Sequence, residues 1–259
     1  MLTYYSTRAH EDFWTEHWGG HTVDELLAVA RVSPLTALIT AALPPAGLVL
    51  EAGCGLGQYV VLKRERGRSA AGADWSLDAL RRCRAAAPGT PVAAMDLARL
   101  AIANAAVDAY VSLGVVEHDA AGPDRLLAEA ARVLAPRGRL ILSVPYWNGV
   151  RTLGTLHLRR QGRRIRAAGG DFYQYAFRRR EVRAALEAHG FRVLSFHPYD
   201  PARLLRPLVR QIAGRRARGA GAAPAPTPGR RVPVLRRLLY SGPVLRMCAH
   251  MILAVAERA

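Results

Sequence analysis

The sequence predicts an α/β protein built around a parallel sheet, and two observations carry this prediction. Between residues 48 and 144, short apolar runs alternate with segments of helical periodicity, which is typical of successive βαβ units. The composition, 51% hydrophobic and 22% charged, is that of a globular chain, and 259 residues suffice for one large domain with a small appendage. The predicted strands cover residues 48–52, 69–73, 92–95, 107–112 and 139–144.

Start and stop signals delimit the helices around these strands. Ser76 is placed to cap a helix that runs through Arg84, and Pro123 occupies a first helical position before a helix over 124–134. Pro136, Arg137 and Gly138 then form the turn into the next strand. Further elements are predicted at both ends of the chain: helices over 22–31, 34–43 and 178–189, and strands over 191–196 and 251–256.

Two segments depart from the βαβ pattern. Residues 146–170 are rich in Arg and Gly and too long for an ordinary βα loop, so we expect an insertion that folds over the site. In residues 213–229, 13 of 17 residues are Ala, Gly or Pro, which predicts a flexible linker. The predicted organisation is an N-terminal helical cap or lid (1–44), a core (45–196), a basic insertion (197–249) and a final core strand (250–259).

Charge is distributed unevenly along the chain, whose formal net charge is +17. Residues 1–150 hold 14 basic and 15 acidic side chains, whereas residues 151–259 hold 23 basic and 5 acidic ones. This asymmetry indicates an anionic partner, either a membrane, a nucleic acid or a phosphorylated substrate.

The remaining composition excludes several classes of protein. The 3 cysteines show neither an even framework nor C-x-x-C spacing, so we predict no disulfide scaffold and no zinc or other metal site. The start of the chain lacks the apolar run of a signal peptide, and no stretch has 18 uninterrupted apolar residues. We therefore expect a cytoplasmic protein.

The sharpest motif is a glycine-rich turn that follows the first predicted strand, Glu51-Ala52-Gly53-Cys54-Gly55-Leu56-Gly57. Glycines at 53, 55 and 57 allow a tight turn and close approach of a ligand to the backbone N–H groups and the following helix. A dinucleotide fingerprint would need glycine at position 58, where this chain has Gln58.

Other side chains meet this turn at the carboxyl edge of the predicted sheet, where open α/β sheets bind ligands. Asp74 follows the second strand and can accept hydrogen bonds from both hydroxyls of a ribose, and Trp75 offers a flat face for a purine. Asp96 closes the third strand, and Ser112, Leu113 and Gly114 close the fourth.

With these motifs in this order, the sequence resembles class I S-adenosylmethionine-dependent methyltransferases of the type 11 subfamily. The matching segments are 51–57, 72–76, 96–97, 107–118 and 127–144, and 171–177 and 187–191 are similar to bacterial small-molecule members. The resemblance implies a Rossmann-like, doubly wound seven-stranded sheet whose last strand runs antiparallel. It also implies that S-adenosyl-L-methionine is the cofactor, that Asp96 and Leu97 meet its adenine, and that Tyr173 and Tyr175 lie near the substrate.

Methyl transfer depends chiefly on in-line positioning of the nucleophile, although a hydroxyl acceptor also needs a general base. His118, which follows the fourth strand, is the candidate base, and a packing or capping role is the alternative. Tyr146 and Trp147 are candidates for substrate contact. Trp14, His17 and Trp18 could form an N-terminal lid; for all five aromatic side chains simple packing is the alternative.

Two motifs that are absent from the sequence narrow the class of acceptor molecule. Ser112-Leu113-Gly114-Val115 replaces the Asn/Asp-Pro-Pro-aromatic tetrad of amino-directed nucleic-acid methyltransferases, and no cysteine lies there or after the fifth strand. We therefore predict a small-molecule or lipid-linked acceptor, methylated at oxygen. The alternatives are an RNA-directed methyltransferase that uses the basic half, and a non-catalytic scaffold that binds the cofactor.

The basic insertion raises a separate hypothesis about partners. Arg203, Arg206 and Arg210 share a predicted helix with Leu204, Leu205 and Leu208, and 234–247 repeats the mixture of apolar residues and arginine. Such helices can lie in an anionic membrane interface at the inner face of the membrane. Packing on the core is the alternative, and nucleic acid is disfavoured because the stretch offers few aromatic side chains for stacking.

Overall fold

A computed structural model describes residues 1–7, 13, 18–201 and 240–259. A twisted sheet of seven strands forms its centre, and a separate pair of strands lies beside it. The strands are β1 (Leu2–Ser6), β2 (Val49–Ala52), β3 (Ala70–Asp74), β4 (Val92–Ala94), β5 (Val107–Leu113), β6 (Leu134–Pro145), β7 (Asp171–Ala176), β8 (Phe191–Tyr199) and β9 (Met251–Arg258).

The order of strands in the large sheet is β4-β3-β2-β5-β6-β9-β8. Strands β2 to β6 are mutually parallel. The final strand, β9, runs antiparallel to both of its neighbours, β6 and β8, so it fills the gap between them. The seven-stranded sheet with an antiparallel last strand, predicted from the sequence, is therefore confirmed.

Helices cover both faces of this sheet. They are α1 (Val23–Val32), α2 (Pro34–Ala42), α3 (Gln58–Glu65), α4 (Leu77–Ala86), α5 (Asp124–Val133), α6 (Gly149–Leu153), α7 (Thr155–Ala167), α8 (Arg179–Ala188) and α9 (Gly242–Cys248). Helices α1 to α4 pack on one face through a cluster that includes Leu27, Ile39 and Leu80. Helices α5 and α8 cover the other face through Leu127 and Leu186. This is the three-layer arrangement that alternating strands and helices favour.

The predicted Ser76 cap is confirmed, whereas Thr22 and Pro123, predicted as first helical residues, are cap residues. The Thr22 hydroxyl caps α1 in a reciprocal pair with Glu25, and Ser76 caps α4 by accepting from the Ala79 N–H. Pro123 stands one position before α5, as its cap residue, rather than at the first helical position. The predicted turn at 136–138 is an irregularity within β6, which begins at Leu134, and Arg137 adopts the left-handed conformation there (φ 61°).

The connection over 146–170 differs from the expectation that it folds over the site. Its main elements are helices α6 and α7, and α7 packs against β1. Strand β1 in turn pairs antiparallel with β7, a long-range contact that no local pattern indicated. Helix α7 and the β1–β7 pair form a separate layer beside the main sheet, called the lateral layer below. Leu158 of α7 packs there against an apolar cluster formed by Leu2, Trp147 and Ala176.

Several predictions fall outside the described residues. They concern Trp14, His17, the linker over 213–229 and the predicted helix that carries Arg203, Arg206 and Arg210. Within the described ranges, no single helix is long and apolar enough to cross a membrane; α1 and α2 reach that length and composition jointly, but are bent by 74°.

The interior position of β9 generates a stability prediction. Leu253 is fully buried in this strand, whereas Leu194 in the neighbouring β8 is 38% exposed. We expect Leu253→Ala to lower the free energy of unfolding by about 2–5 kcal/mol, because it leaves a cavity in a close-packed core. Leu194→Ala, the matched control, should cost less than about 1 kcal/mol because water already reaches its side chain. Urea denaturation measures both, and equal losses would contradict the interior position of β9.

Candidate functional site

A cavity of about 560 Å³ lies at the carboxyl edge of the parallel strands. Loops that follow β2, β3, β4 and β5 surround it. Its lining residues are Trp18, Gly53, Asp74, Trp75, Leu77, Ala94, Met95, Asp96, Leu97, Gly114, Val115 and His118. Sequence reasoning therefore placed Gly53, Asp74, Trp75, Asp96, Leu97, Trp18 and His118 where one cavity brings them together.

The glycine-rich turn between β2 and α3 borders the cavity through Gly53. Gly53, Gly55 and Gly57 all have positive φ, at 79°, 51° and 74°, a conformation that other residues rarely adopt. A Cβ atom added to Gly53 would lie 2.3 Å from Cγ2 of Val115, so the loops after β2 and β5 meet there. Glycine is thus required at position 53 by both conformation and space.

Asp74, at the end of β3, ties two loops together. Its Oδ2 accepts the N–H of Gly55 at 2.7 Å, and its Oδ1 accepts the N–H of Ser76 at 2.9 Å. Only 4% of the residue is exposed, and this burial raises the pKa of Asp74, while the N–H groups of Ser76 and Gly55 act against the rise. Each carboxyl oxygen keeps a second lone pair for a ligand, since it accepts one of these two bonds.

Aromatic side chains line the cavity beside Asp74. Trp75 is 52% exposed, so a flat apolar face is open to a ligand. The Trp18 ring packs against Gly55, since an added Cβ there would lie 2.4 Å from the ring. Arg82 of α4 holds Trp18 in place by donating to its carbonyl oxygen at 2.7 Å. The space beside Gly55 is therefore already covered by a side chain from the N-terminal segment.

Five residues predicted to meet the cofactor are not among those that line the cavity: Glu51, Gly55, Gly57, Ser112 and Leu113. Glu51 is buried and its Oε2 accepts from Nζ of Lys63 at 3.0 Å. Burial raises the pKa of Glu51, and the neighbouring Lys63 ammonium opposes that rise. Ser112 is 1% exposed, and the lining role after β5 passes to Gly114 and Val115.

His118 ends the short 3₁₀ helix Val116–His118 and faces the cavity. Its Nδ1 lies 2.7 Å from the carbonyl oxygen of Tyr173, and the two rings meet edge to face with centroids 5.2 Å apart. Because a carbonyl oxygen can only accept, Nδ1 carries the proton, and in the neutral ring Nε2 carries the lone pair. That tautomer is the one a general base acting through Nε2 requires.

The other predicted substrate residues occupy different places. Tyr173 reaches the site through its contact with His118. Tyr146, Trp147 and Tyr175 are not among the lining residues of the cavity. Trp147 is buried beneath the guanidinium of Arg178, 4.1 Å from the ring centroid, and the Tyr175 hydroxyl donates to the carbonyl of Ala120.

Sequence reasoning missed Glu117, the residue before His118. It is 2% exposed, its Oε2 makes no hydrogen bond within the described part of the chain, and its Oε1 lies 3.5 Å from where a Cβ of Gly114 would stand. Burial raises the pKa of Glu117 to about 8. No local pattern indicated its burial, because the polar residues His118 and Asp119 follow it directly.

Glu117 makes stability depend on pH. Because its pKa rises from 4.5 to about 8 on folding, its contribution is greatest below about pH 4.5 and is lost as the pH rises to about 8. We expect Glu117→Gln to remove this loss, so that the variant gains on the wild type by up to about 1.4 kcal/mol per pH unit within that window. Urea unfolding at several pH values measures the difference, and parallel pH profiles would contradict the assignment.

Comparisons with known proteins agree with this geometry. Residues 50–142 match the family model described as a methyltransferase domain. A probable S-adenosylmethionine-dependent methyltransferase of Mycolicibacterium smegmatis is 35% identical over 99 residues, which are 38% of this chain and 37% of that relative. A probable S-adenosylmethionine-dependent methyltransferase of Mycobacterium tuberculosis H37Rv is 37% identical over 99 residues, 38% of this chain and 35% of the relative. The chain thus matches little more than a third of the length of these curated relatives.

Solved structures extend the likeness in fold to nearly the whole chain. The crystal structure of a methyltransferase dependent on S-adenosylmethionine, from Archaeoglobus fulgidus, superposes with a TM-score of 0.59 at 15% identity, covering 96% of this chain and 100% of that one. The resemblance inferred from the glycine turn, Asp74 and the fourth motif is therefore confirmed. Residues 50–142 are thus similar to this methyltransferase domain family, in a fold shared with solved methyltransferases, and these relatives imply S-adenosyl-L-methionine as the cofactor.

Proposed function

We propose that this chain transfers a methyl group from S-adenosyl-L-methionine to a hydroxyl oxygen of a small-molecule or lipid-linked acceptor. One observation carries the proposal: Gly53 of the glycine turn, Asp74 and His118 line the same cavity. A group that could hold the cofactor and a group that could take the acceptor's proton are thereby brought to one space.

The residues around the cavity fit the cofactor. Gly53 brings backbone without a side chain to the cavity, and Asp74 has carboxyl lone pairs suited to the two ribose hydroxyls. Trp75 and Leu97 supply apolar surface for a purine, and Asp96 stands beside them in the lining. The bound cofactor would supply a methyl group already activated on a sulfonium.

His118 would act on the acceptor rather than on the cofactor. Its Nδ1–H is fixed on the Tyr173 carbonyl, which orients the ring and leaves the lone pair on Nε2. A hydroxyl nucleophile loses its proton as the new bond to carbon forms, and a neutral imidazole accepts that proton near neutral pH. This chemistry supports oxygen as the methylated atom.

The side chains at the site support a small or lipid-linked acceptor over a nucleic acid. Apolar and aromatic groups dominate the lining, with Trp18, Trp75, Leu77 and Val115 among them. None of the three cysteines lines the cavity; Cys54 and Cys83 are buried, and burial raises the pKa of both thiols. The cavity thus lacks the thiolate nucleophile that methylation of cytosine at carbon requires.

The cofactor assignment predicts a loss of affinity in Asp74→Ala. Removing charge-assisted hydrogen bonds to the ribose should weaken S-adenosyl-L-methionine binding roughly 10- to 150-fold, as measured by calorimetry. The matched control is Asp24→Ala, since Asp24 is an exposed acid on α1 outside the cavity lining and should leave affinity unchanged. Gly55→Val should abolish binding, because its side chain would strike the Trp18 ring and its φ is positive. Wild-type affinity in both site variants would end the assignment.

The base assignment predicts a selective loss of turnover. We expect His118→Ala to slow methyl transfer by about 10²- to 10⁴-fold while cofactor affinity stays constant. His189→Ala is the matched control, because its Nδ1 makes the same kind of bond to a carbonyl, that of Ala185 at 2.7 Å, outside the residues that line the cavity. A fall of less than about tenfold would return His118 to a packing role.

The acceptor class is tested with cofactor labelled in its methyl group and fractionated cell extract. We expect label in the lipid or aqueous small-molecule fraction, lost in His118→Ala. Label confined to RNA would make the enzyme RNA-directed. Tight cofactor binding with no transfer to any fraction would leave a non-catalytic scaffold and overturn the proposal.

A further inference from the structure

Helices α6 and α7 carry an exposed apolar corner that nothing in the methyl-transfer site requires. Leu153 is 82% exposed and Leu156 is 60% exposed, on either side of the Gly154 junction between the two helices. Val150 lies one turn before Leu153 and is also exposed. Met247 of α9 packs against Gly149 at the start of α6, so this half-exposed side chain adds a fourth apolar residue to the corner.

The same segment is strongly cationic. Residues 146–170 contain six arginines, His157 and no acidic residue. Arg159, Arg160, Arg163 and Arg164 are exposed, and within the described part of the chain none of the four forms an ion pair. Four unneutralised guanidinium groups on one helix of 13 residues form a concentrated positive surface.

Helical geometry places the arginines beside the apolar corner. Gly162 and Leu158 face inward, where a Cβ on Gly162 would lie 3.5 Å from the Tyr5 ring and Leu158 joins the cluster around Leu2. Leu156 and Arg160 are four residues apart, so they share the face opposite this contact. The outward face of α7 therefore begins with leucine and continues with arginine.

A groove of about 250 Å³ adjoins this face, between α7 and β1. Arg159 and Arg163 line it together with Gly162 and residues of β1. Two guanidinium groups one helical turn apart present several N–H donors to a single anionic group, which suits a phosphate.

We infer that the α6–α7 corner docks on an anionic lipid bilayer, with Val150, Leu153 and Leu156 inserted at the interface and the arginines of α7 on the lipid phosphates. The aliphatic side chains at the tip of the corner suit the acyl-chain boundary of a bilayer, and the basic side chains behind them suit its headgroup phosphates. A nucleic acid would use the arginines but would gain nothing from exposed leucines, and this corner offers no exposed aromatic side chain for base stacking. The inference is independent of methyl transfer, since none of these residues lines the cavity that holds His118.

Co-sedimentation of the full chain with vesicles tests the inference. Wild type should bind vesicles of phosphatidylcholine with phosphatidylglycerol far better than vesicles of phosphatidylcholine alone, and added salt should weaken that binding. The double variant Leu153→Ser, Leu156→Ser should reduce the partition coefficient about tenfold or more, because two aliphatic side chains no longer leave water. The double variant Arg159→Gln, Arg163→Gln should reduce it by a similar factor.

Matched controls separate this corner from other exposed apolar and basic residues. Val29→Ser with Val32→Ser removes two exposed valines of α1, and Arg64→Gln with Arg81→Gln removes two exposed arginines of α3 and α4. Each control should keep the partition coefficient within about twofold of wild type, since those positions would not touch the bilayer. Thermal melts confirm that all variants fold, which the exposure of every substituted side chain favours.

Three results would overturn the inference. The first is that anionic vesicles do not retain wild type even at low salt. The second is that the corner variants bind as strongly as their controls, which would assign the binding to another basic surface. In the third, Arg159→Gln with Arg163→Gln loses affinity for polyuridylate while the leucine variant binds vesicles as wild type does. That pattern would assign the surface to RNA.

Discussion

The carboxyl group of Asp74 is the constraint on which the site depends. Its two oxygens hold the Gly55 and Ser76 N–H groups, so one side chain fixes both the glycine turn after β2 and the entry into α4. Parallel neighbours end at the same edge of a sheet, and β2 and β3 therefore present these two loops to each other. Asp74 therefore shapes this wall of the cavity, while part of its hydrogen-bonding capacity remains available to a ligand.

Much of this architecture could be predicted because its signals are local. Strand-length apolar runs, the start of α1 near Thr22 and the Ser76 cap depend on residues only a few positions apart. The lateral layer could not be predicted in this way. Strand β1 pairs with β7 across more than half of the chain, and α7 follows from burying Leu158 against that pair rather than from a pattern within residues 146–170.

The site was predictable to the same extent. The residues that follow strands, Gly53, Asp74, Trp75 and Asp96, line the cavity because topology alone brings strand ends together. Glu51 was predicted to meet the cofactor, but it lies within a strand and its side chain bonds Lys63. The direction in which a strand residue points depends on how the helices and the sheet pack together. Burial of Glu117 likewise depends on what packs over it, so its raised pKa had no counterpart in the local sequence.

The place of β9 in the sheet has a consequence for biosynthesis. Strands β6 and β8 are made long before the residues that join them, since β9 lies between them and begins only at Met251. Until those residues leave the ribosome, β6 keeps one unpaired edge, and an open strand edge is a template for pairing with another chain. The nascent protein therefore passes through a state in which the unpaired edge of β6 must be protected from other chains. This exposure ends when β9 inserts between two strands, rather than when it adds to an outer edge.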